Sequence, residues 1–208
     1  MALARHAVVP RAGCKAWFQP RLPMTVPMAR KMLLALLVCA CLAACGPSAD
    51  ALAVLGSRGE IQQDAPVKAS SSIVIDAAPP RVWAILVGVA AWPRWLHGVS
   101  QVSVHGALCK GVAFDWHAGD MAIRSRVVLF VPDKTVAWTG QASLAKAVHV
   151  LRLSALDAGH TRVESLESMD GPLLSWFYAS SDLRASEDRM LRDLKAAAQT
   201  PPSPPSPR

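Results

Sequence analysis

The sequence predicts an α+β fold, a curved and mostly antiparallel sheet of about seven strands wrapped on a long C-terminal helix, with two short helices after the first strand. Three observations carry this. From Gln101 to Glu167, apolar and polar residues alternate with period two between turns rich in Gly, Asp and Pro; that is the pattern of half-buried strands joined in a meander. From Leu173 to about Ala198 the period becomes helical: Leu173, Phe177, Leu183, Met190, Leu191 and Leu194 are apolar, and Arg184, Asp188, Arg192 and Lys195 take other faces. Between the first strand and the meander, Pro79-Pro80 and then Trp92-Pro93-Arg94-Trp95 interrupt the chain twice in quick succession.

The elements follow in order. A strand is expected from about Ser70 to Asp76, around Ile73-Val74-Ile75. Pro79 and Pro80 cannot continue it, because each lacks an amide donor and fixes φ at about −65°. The same φ suits a helix start, so a helix runs to about Val87, and the Trp92–Trp95 knot makes a second short helix or tight turn. Then come Val102 and Val104, the row Val112, Phe114 and Trp116, a hairpin turn at Gly119-Asp120, and the row Met121, Ile123, Ser125, Val127 and Leu129. After a turn at Pro132-Asp133-Lys134 follow Val136 and Trp138, then Ala147, His149, Leu151 and Leu153, then Thr161, Val163, Ser165 and Glu167. Asp170-Gly171-Pro172 stops the last strand and starts the long helix, and residues 200–208 form a Pro-rich disordered tail.

Charge is unevenly placed. The formal net charge is +7. The chain before Cys45 holds six Lys/Arg and no Asp or Glu, and from Cys45 onward 16 Lys/Arg stand against 15 Asp/Glu. The folded body is therefore nearly neutral and lacks the basic footprint of a nucleic-acid binder.

Residues 1–44 read as a leader and signal peptide, with translation expected to start at Met28, or at Met24. Arg30 and Lys31 precede an apolar run of 13 residues, Met32 to Ala44. A membrane span needs about 20, so the run fits a secretory signal. It ends Leu42-Ala43-Ala44-Cys45-Gly46, which resembles a bacterial lipobox. That resemblance implies cleavage before Cys45, lipidation of Cys45, and a chain exported and anchored in the cell envelope, with Gly46 favouring the outer membrane. The alternatives are a plain secretory signal and an uncleaved short anchor. Residues 45–69 are expected to be a tether. Beyond Cys45 only Cys109 remains, so no internal disulfide and no metal-type Cys spacing is available.

The order of elements, with Ile75-Asp76-Ala77-Ala78-Pro79-Pro80-Arg81-Val82-Trp83, the Trp92-Pro93-x-Trp95 turn, Gly111 to Trp116, Ala137-Trp138, Gly159 to Val163 and Glu167 to Gly171, is similar to the START and polyketide cyclase/dehydrase group, the SRPBCC superfamily. The resemblance covers about residues 70–199 and implies a helix-grip fold with an apolar cavity between sheet and helix. It implies ligands such as lipids, polyketides or other hydrophobic molecules.

The polar residues expected to face inward are Ser125, His149 and Glu167. His149 is a candidate acid or base near neutral pH, Glu167 can orient a ligand or the histidine, and Ser125 leaves space. Trp116 and Trp138 are expected to line the cavity. The ligand-binding set is thus Trp116, Ser125, Trp138, His149 and Glu167, with His149 and Glu167 as the catalytic candidates. Asp115 and His117 share a strand face but have no third ligand at suitable spacing, so no metal and no cofactor are expected. There is no phosphate loop and no nucleophile elbow. Three functions stay open: a membrane-tethered carrier of a hydrophobic small molecule, a cyclase or dehydratase, and an envelope or stress protein with a closed cavity.

Overall fold

The structure, a computed structural model, describes residues 47–143 and 145–201. The leader, the start at Met28, Cys45 and the tail beyond Pro201 lie outside the described residues. The chain runs α1 (Ala49–Ser57), β1 (Val67–Ile75), α2 (Pro79–Val87), a 3-10 helix (Val89–Arg94), β2 (Val99–Val104), β3 (Ala113–Ala118), β4 (Met121–Val131), β5 (Thr135–Gln141), β6 (Lys146–Ala155), β7 (Thr161–Asp170), α3 (Leu174–Phe177) and α4 (Ser180–Gln199). The seven strands form one antiparallel sheet in the order β1-β7-β6-β5-β4-β3-β2. β1 thus crosses to the far edge and pairs with β7, while the rest is a meander. This is the α+β helix-grip architecture expected from the sequence. No described helix is long and apolar enough to cross a membrane.

The inner face of the sheet packs on α4 and α2. Ile75, Val82, Leu86, Val136, Leu151, Leu191 and Leu194 are buried together there. α2 begins as the Pro-Pro pair dictates, with Pro79 and Pro80 in its first turn, and the Arg81 side chain donates to the carbonyls of Ala198 and Thr200, fastening it to the end of α4. Trp92 sits where the 3-10 helix meets the sheet. Its indole N–H donates to the Leu86 carbonyl at 2.9 Å, and its ring stands edge-on to Phe114 and Trp116.

Three expectations are corrected. The tether expected over residues 45–69 is ordered in much of its described part. Ser48 caps α1 by accepting the Ala51 amide at 3.1 Å, and Leu52 and Ile61 pack on Val128, Ala137, Val148 and Val150 of the outer sheet face. Gly56 allows that approach, since a Cβ there would stand 2.7 Å from a Val128 methyl and 2.9 Å from a Val148 methyl. The outer-face valines alternate with the inner row, and they needed a cover that the sequence supplied in Ala51–Leu55.

Second, the row Met121 to Leu129 does not keep one face. The β4–β5 register shifts between Val127 and Leu129, a bulge that leaves Val127 inside, moves Leu129 to the α1 side and turns Phe130 inward against Trp83.

Third, the single helix expected from Leu173 to Ala198 is two. Leu173 is left-handed, at φ 62°, and Tyr178 is extended at φ −142°. α4 restarts at Ser180, with the Asp182 carboxylate accepting the Ala179 amide at 2.9 Å.

Candidate functional site

A cavity of about 550 Å³ lies between the inner sheet face and α4, at the end away from α2. It exists because one row across the sheet is small: Ser125 opposes Gly140, and Gly140 opposes Ala147. Where the neighbouring row carries Val127, Trp138 and His149, these three positions leave space. Trp92, Trp116, Ile123, Trp138 and Met190 furnish apolar walls, and His149, Glu167 and Glu187 a polar one.

The polar wall is built by register. His149 on β6 lies directly opposite Glu167 on β7. Such pairs hold their Cβ atoms at about 4.5–5.5 Å. Trp138 opposes His149 on the other side, its ring edge-on at a centroid distance of 5.0 Å. Two residues before Glu167 on the same face, Ser165 is completely buried. α4 then lowers Glu187 onto the group, one turn after Leu183 and one before Leu191. The His149 Nε2 stands 2.7 Å from the Ser165 hydroxyl and 3.1 Å from Glu187 Oε2. Ser165 in turn donates to that carboxylate oxygen, which leaves its own oxygen to accept from the imidazole.

The charges follow from burial and proximity. Burial alone would push His149 down, but the carboxylates of Glu187 and Glu167 outweigh it and hold the imidazole up at about 9. Burial likewise raises Glu167, to about 8. The same burial would raise Glu187, yet the His149 charge and the hydrogen bonds it receives hold it well below the ordinary carboxylate range. At neutral pH the two carboxyls therefore share one proton, held on Glu167, while His149 and Glu187 form an ion pair. The cluster is then neutral overall, which limits the cost of setting three ionisable groups into an apolar wall. Burial and then the Glu167 charge also raise the phenol of Tyr178, beside the mouth.

Each residue expected at the site has a place. Trp116, Ser125, Trp138, His149 and Glu167 all line the cavity. Ser125 does more than leave space, since its hydroxyl accepts the Trp116 indole N–H at 3.1 Å and fixes that ring. Trp92, placed by the sequence in a short helix or tight turn, also lines the cavity. Asp115 pairs with Arg124 at 3.1 Å on the outer side.

Glu187 was missed, although the sequence carried its signal. It is a carboxylate at the centre of the apolar stripe Leu183, Leu191 and Leu194, where a lone charged residue is costly unless paired. His149, Glu167 and Glu187 offer three donor atoms within 4.8 Å of one another, a set that a divalent cation accepts. A cation there would have to displace the His149–Glu187 pair and the Glu167 proton.

Solved structures share this fold at low sequence identity. A hypothetical protein of Helicobacter pylori aligns at 14% identity and TM-score 0.60, over 66% of this chain and 90% of that one. An aromatase/cyclase from Streptomyces aligns at 15% identity and TM-score 0.50, over 64% and 93%. A START superfamily protein of Mycobacterium smegmatis aligns at 13% and 0.50, over 62% and 92%. No curated protein matches. Residues 66–199, nearly two thirds of the sequence, match the family model described as polyketide cyclase / dehydrase and lipid transport, and the chain belongs to that family.

Proposed function

We propose that this protein binds and carries a hydrophobic small molecule bearing one polar oxygen, with its apolar body against Trp92, Trp116 and Trp138 and its carbonyl or hydroxyl at Glu167 and His149. The observation that carries this reading is the cavity of about 550 Å³, apolar on most sides and polar on one. That volume falls within the range of about 300–1,000 Å³ that encloses drug-sized ligands. A protonated Glu167 donates to a ligand oxygen without placing a net charge in the site. The test is native mass spectrometry of protein exposed to a lipid extract, with Ala147→Phe as control. A ligand retained by the wild type and lost from the variant supports binding; equal mass spectra for the two reject it.

A second reading has its own observation. His149, Glu167 and Glu187 converge within 4.8 Å, with His149 and Glu167 holding protons at neutral pH and Glu187 ionised. That sets proton donors beside the ionised Glu187 carboxylate on the wall of an apolar chamber, which supports a cyclase or dehydratase that moves protons on a bound carbonyl compound. Here Glu167 is the acid, and the His149–Ser165–Glu187 chain holds the imidazole in place. His149→Ala and Glu167→Ala that bind ligand but turn nothing over would support this reading; retained turnover would reject it. The cavity leaves little support for a closed-core structural protein.

We further propose that Cys45 is lipidated and tethers the domain to the envelope membrane, at the outer membrane facing the periplasm. The lipobox-like Leu42 to Gly46 supports this. Acyl mass on an N-terminal Cys45 peptide tests it, and an intact peptide spanning Ala44-Cys45 in the mature protein rejects it.

A further inference from the structure

The cavity mouth has an apolar rim that the fold turns outward. Leu173 is 54% exposed, Trp176 77% and Phe177 78%. All three lie in the short segment between β7 and α4. Across the mouth stands Met121, 49% exposed, at the β3–β4 turn. A continuous helix would have stacked Leu173 and Phe177 on the buried stripe of α4. The left-handed Leu173 and extended Tyr178 prevent that. Phe177 borders the cavity while its neighbour Trp176 does not. Among the six described Trp residues, Trp176 is the only exposed one.

Exposed apolar groups of this size mark an interaction surface, and the position of the chain's entry into the fold selects the occupant. Pro47 shares a small hollow with Lys146, Asp170, Gly171 and Pro172, directly before the rim. Cys45 lies two residues upstream of Pro47 in sequence, and two residues span at most about 7 Å. The chain therefore leaves the described domain at Pro47, beside Pro172 and the mouth, and an anchor two residues further on would hold this end of the domain toward the membrane. Trp and Phe are side chains that settle at a bilayer interface, and Arg189 at the mouth and Lys146 in the hollow suit anionic headgroups.

We infer that the rim Leu173, Trp176 and Phe177 docks on a lipid bilayer, so that the cavity opens onto the membrane and exchanges its ligand with it. The inference rests on the proposed tether at Cys45. It excludes a carrier that loads from the aqueous side while its anchor holds the mouth away from the membrane.

The experiment uses the mature protein as purified from cell membranes, reconstituted in vesicles of phosphatidylethanolamine and phosphatidylglycerol. A fraction of the acyl chains is brominated just below the headgroup. Trp fluorescence quenching is compared between wild type and Trp176→Phe, and transfer of N-phenyl-1-naphthylamine from protein to vesicles between wild type and Leu173→Ser/Trp176→Ser. The expected results are quenching in the wild type that is largely lost in Trp176→Phe, and transfer slowed at least several-fold in the double variant with unchanged binding of the probe. Equal quenching in wild type and Trp176→Phe overturns the inference, as does no quenching at all; a rim occupied by a protein partner or a second copy would give the latter. Acyl mass on Cys45 is measured separately, so a missing anchor is told apart from a rim that does not dock.

Discussion

The groove between the sheet and α4 is one structure with two unlike ends. Near α2 it is solid: Ile75, Leu86, Val136, Leu151, Leu191 and Leu194 interlock with at most 1% exposure each. Near the β3–β4 turn the same rows hold Ser125, Gly140 and Ala147, with His149, Glu167 and Glu187 beside them. One end buries large side chains and contributes stability. The other gives up packing to keep space and sets a proton-sharing cluster against it. Stability and ligand recognition are thus divided along a single helix, with Leu191 and Leu194 serving the first and Glu187 the second.

Substitutions at the two ends should behave differently. The largest effect is expected at the solid end, where Leu151→Ala removes a fully buried side chain and should lower unfolding free energy by about 2–5 kcal/mol, read from urea denaturation. A loss below 1 kcal/mol would mean that this end is less tightly packed than described. Next is Glu187→Ala. It strands His149 in a site where their pairing opposes burial, and breaking such a pair typically costs about 3–5 kcal/mol. The imidazole can escape part of that by releasing its proton. The variant's deficit relative to the wild type should therefore shrink as pH rises from about 6.5 toward 9, where the wild type itself loses the charged imidazole, whereas the deficit of Leu151→Ala should not.

Smaller in stability and larger in function is Ala147→Phe, which fills the open end. It should weaken binding of a hydrophobic probe at least about tenfold, or about 1.4 kcal/mol, while changing unfolding free energy little because the ring enters existing space. A variant that unfolds readily would show that the void is needed for packing and is not a container.

The solid end was largely legible in the sequence, and the open end only in part. Rows such as Val136/Trp138 and His149/Leu151/Leu153 were readable because period two fixes the face once a strand is placed. Leu129 was misplaced because a bulge shifts that period by one and leaves no mark in composition. Glu187 was passed over because a helical stripe was read for its apolar members, and the break at Tyr178-Ala179 because apolar spacing alone does not reveal a non-helical φ. His149 and Glu167 could be named singly. That they oppose each other depends on the length of the turn at residues 156–160, which sets the β6–β7 register and which no motif announces. α1 looked like tether because Gly and Pro flank it; only the uncovered valines of the outer face showed that something had to lie there.

The finest test of the contrast is Glu167→Gln, which keeps the shape of the open end and removes its titratable proton. Glu167 is raised to about 8 in the fold, mainly by burial, against an ordinary value of 4.5. Between these values the unfolded chain has released this proton and the folded one retains it, so the native state binds more protons and stability falls as pH rises. His149, raised from 6.5 to about 9, adds a loss of the same sign over its own window. Wild-type stability should therefore decline from about pH 5 to pH 9. Glu167→Gln should flatten the lower part of that decline, leaving a slope confined to the histidine window, and near pH 7 it should be no less stable than the wild type. Denaturation midpoints at half-unit pH intervals would show this, and a wild-type curve rising between pH 5 and 8 would mean that Glu167 is ionised in the folded protein. Its role toward the ligand would then be to accept a hydrogen bond, and the molecule held at the open end would have to carry a donor in place of a carbonyl.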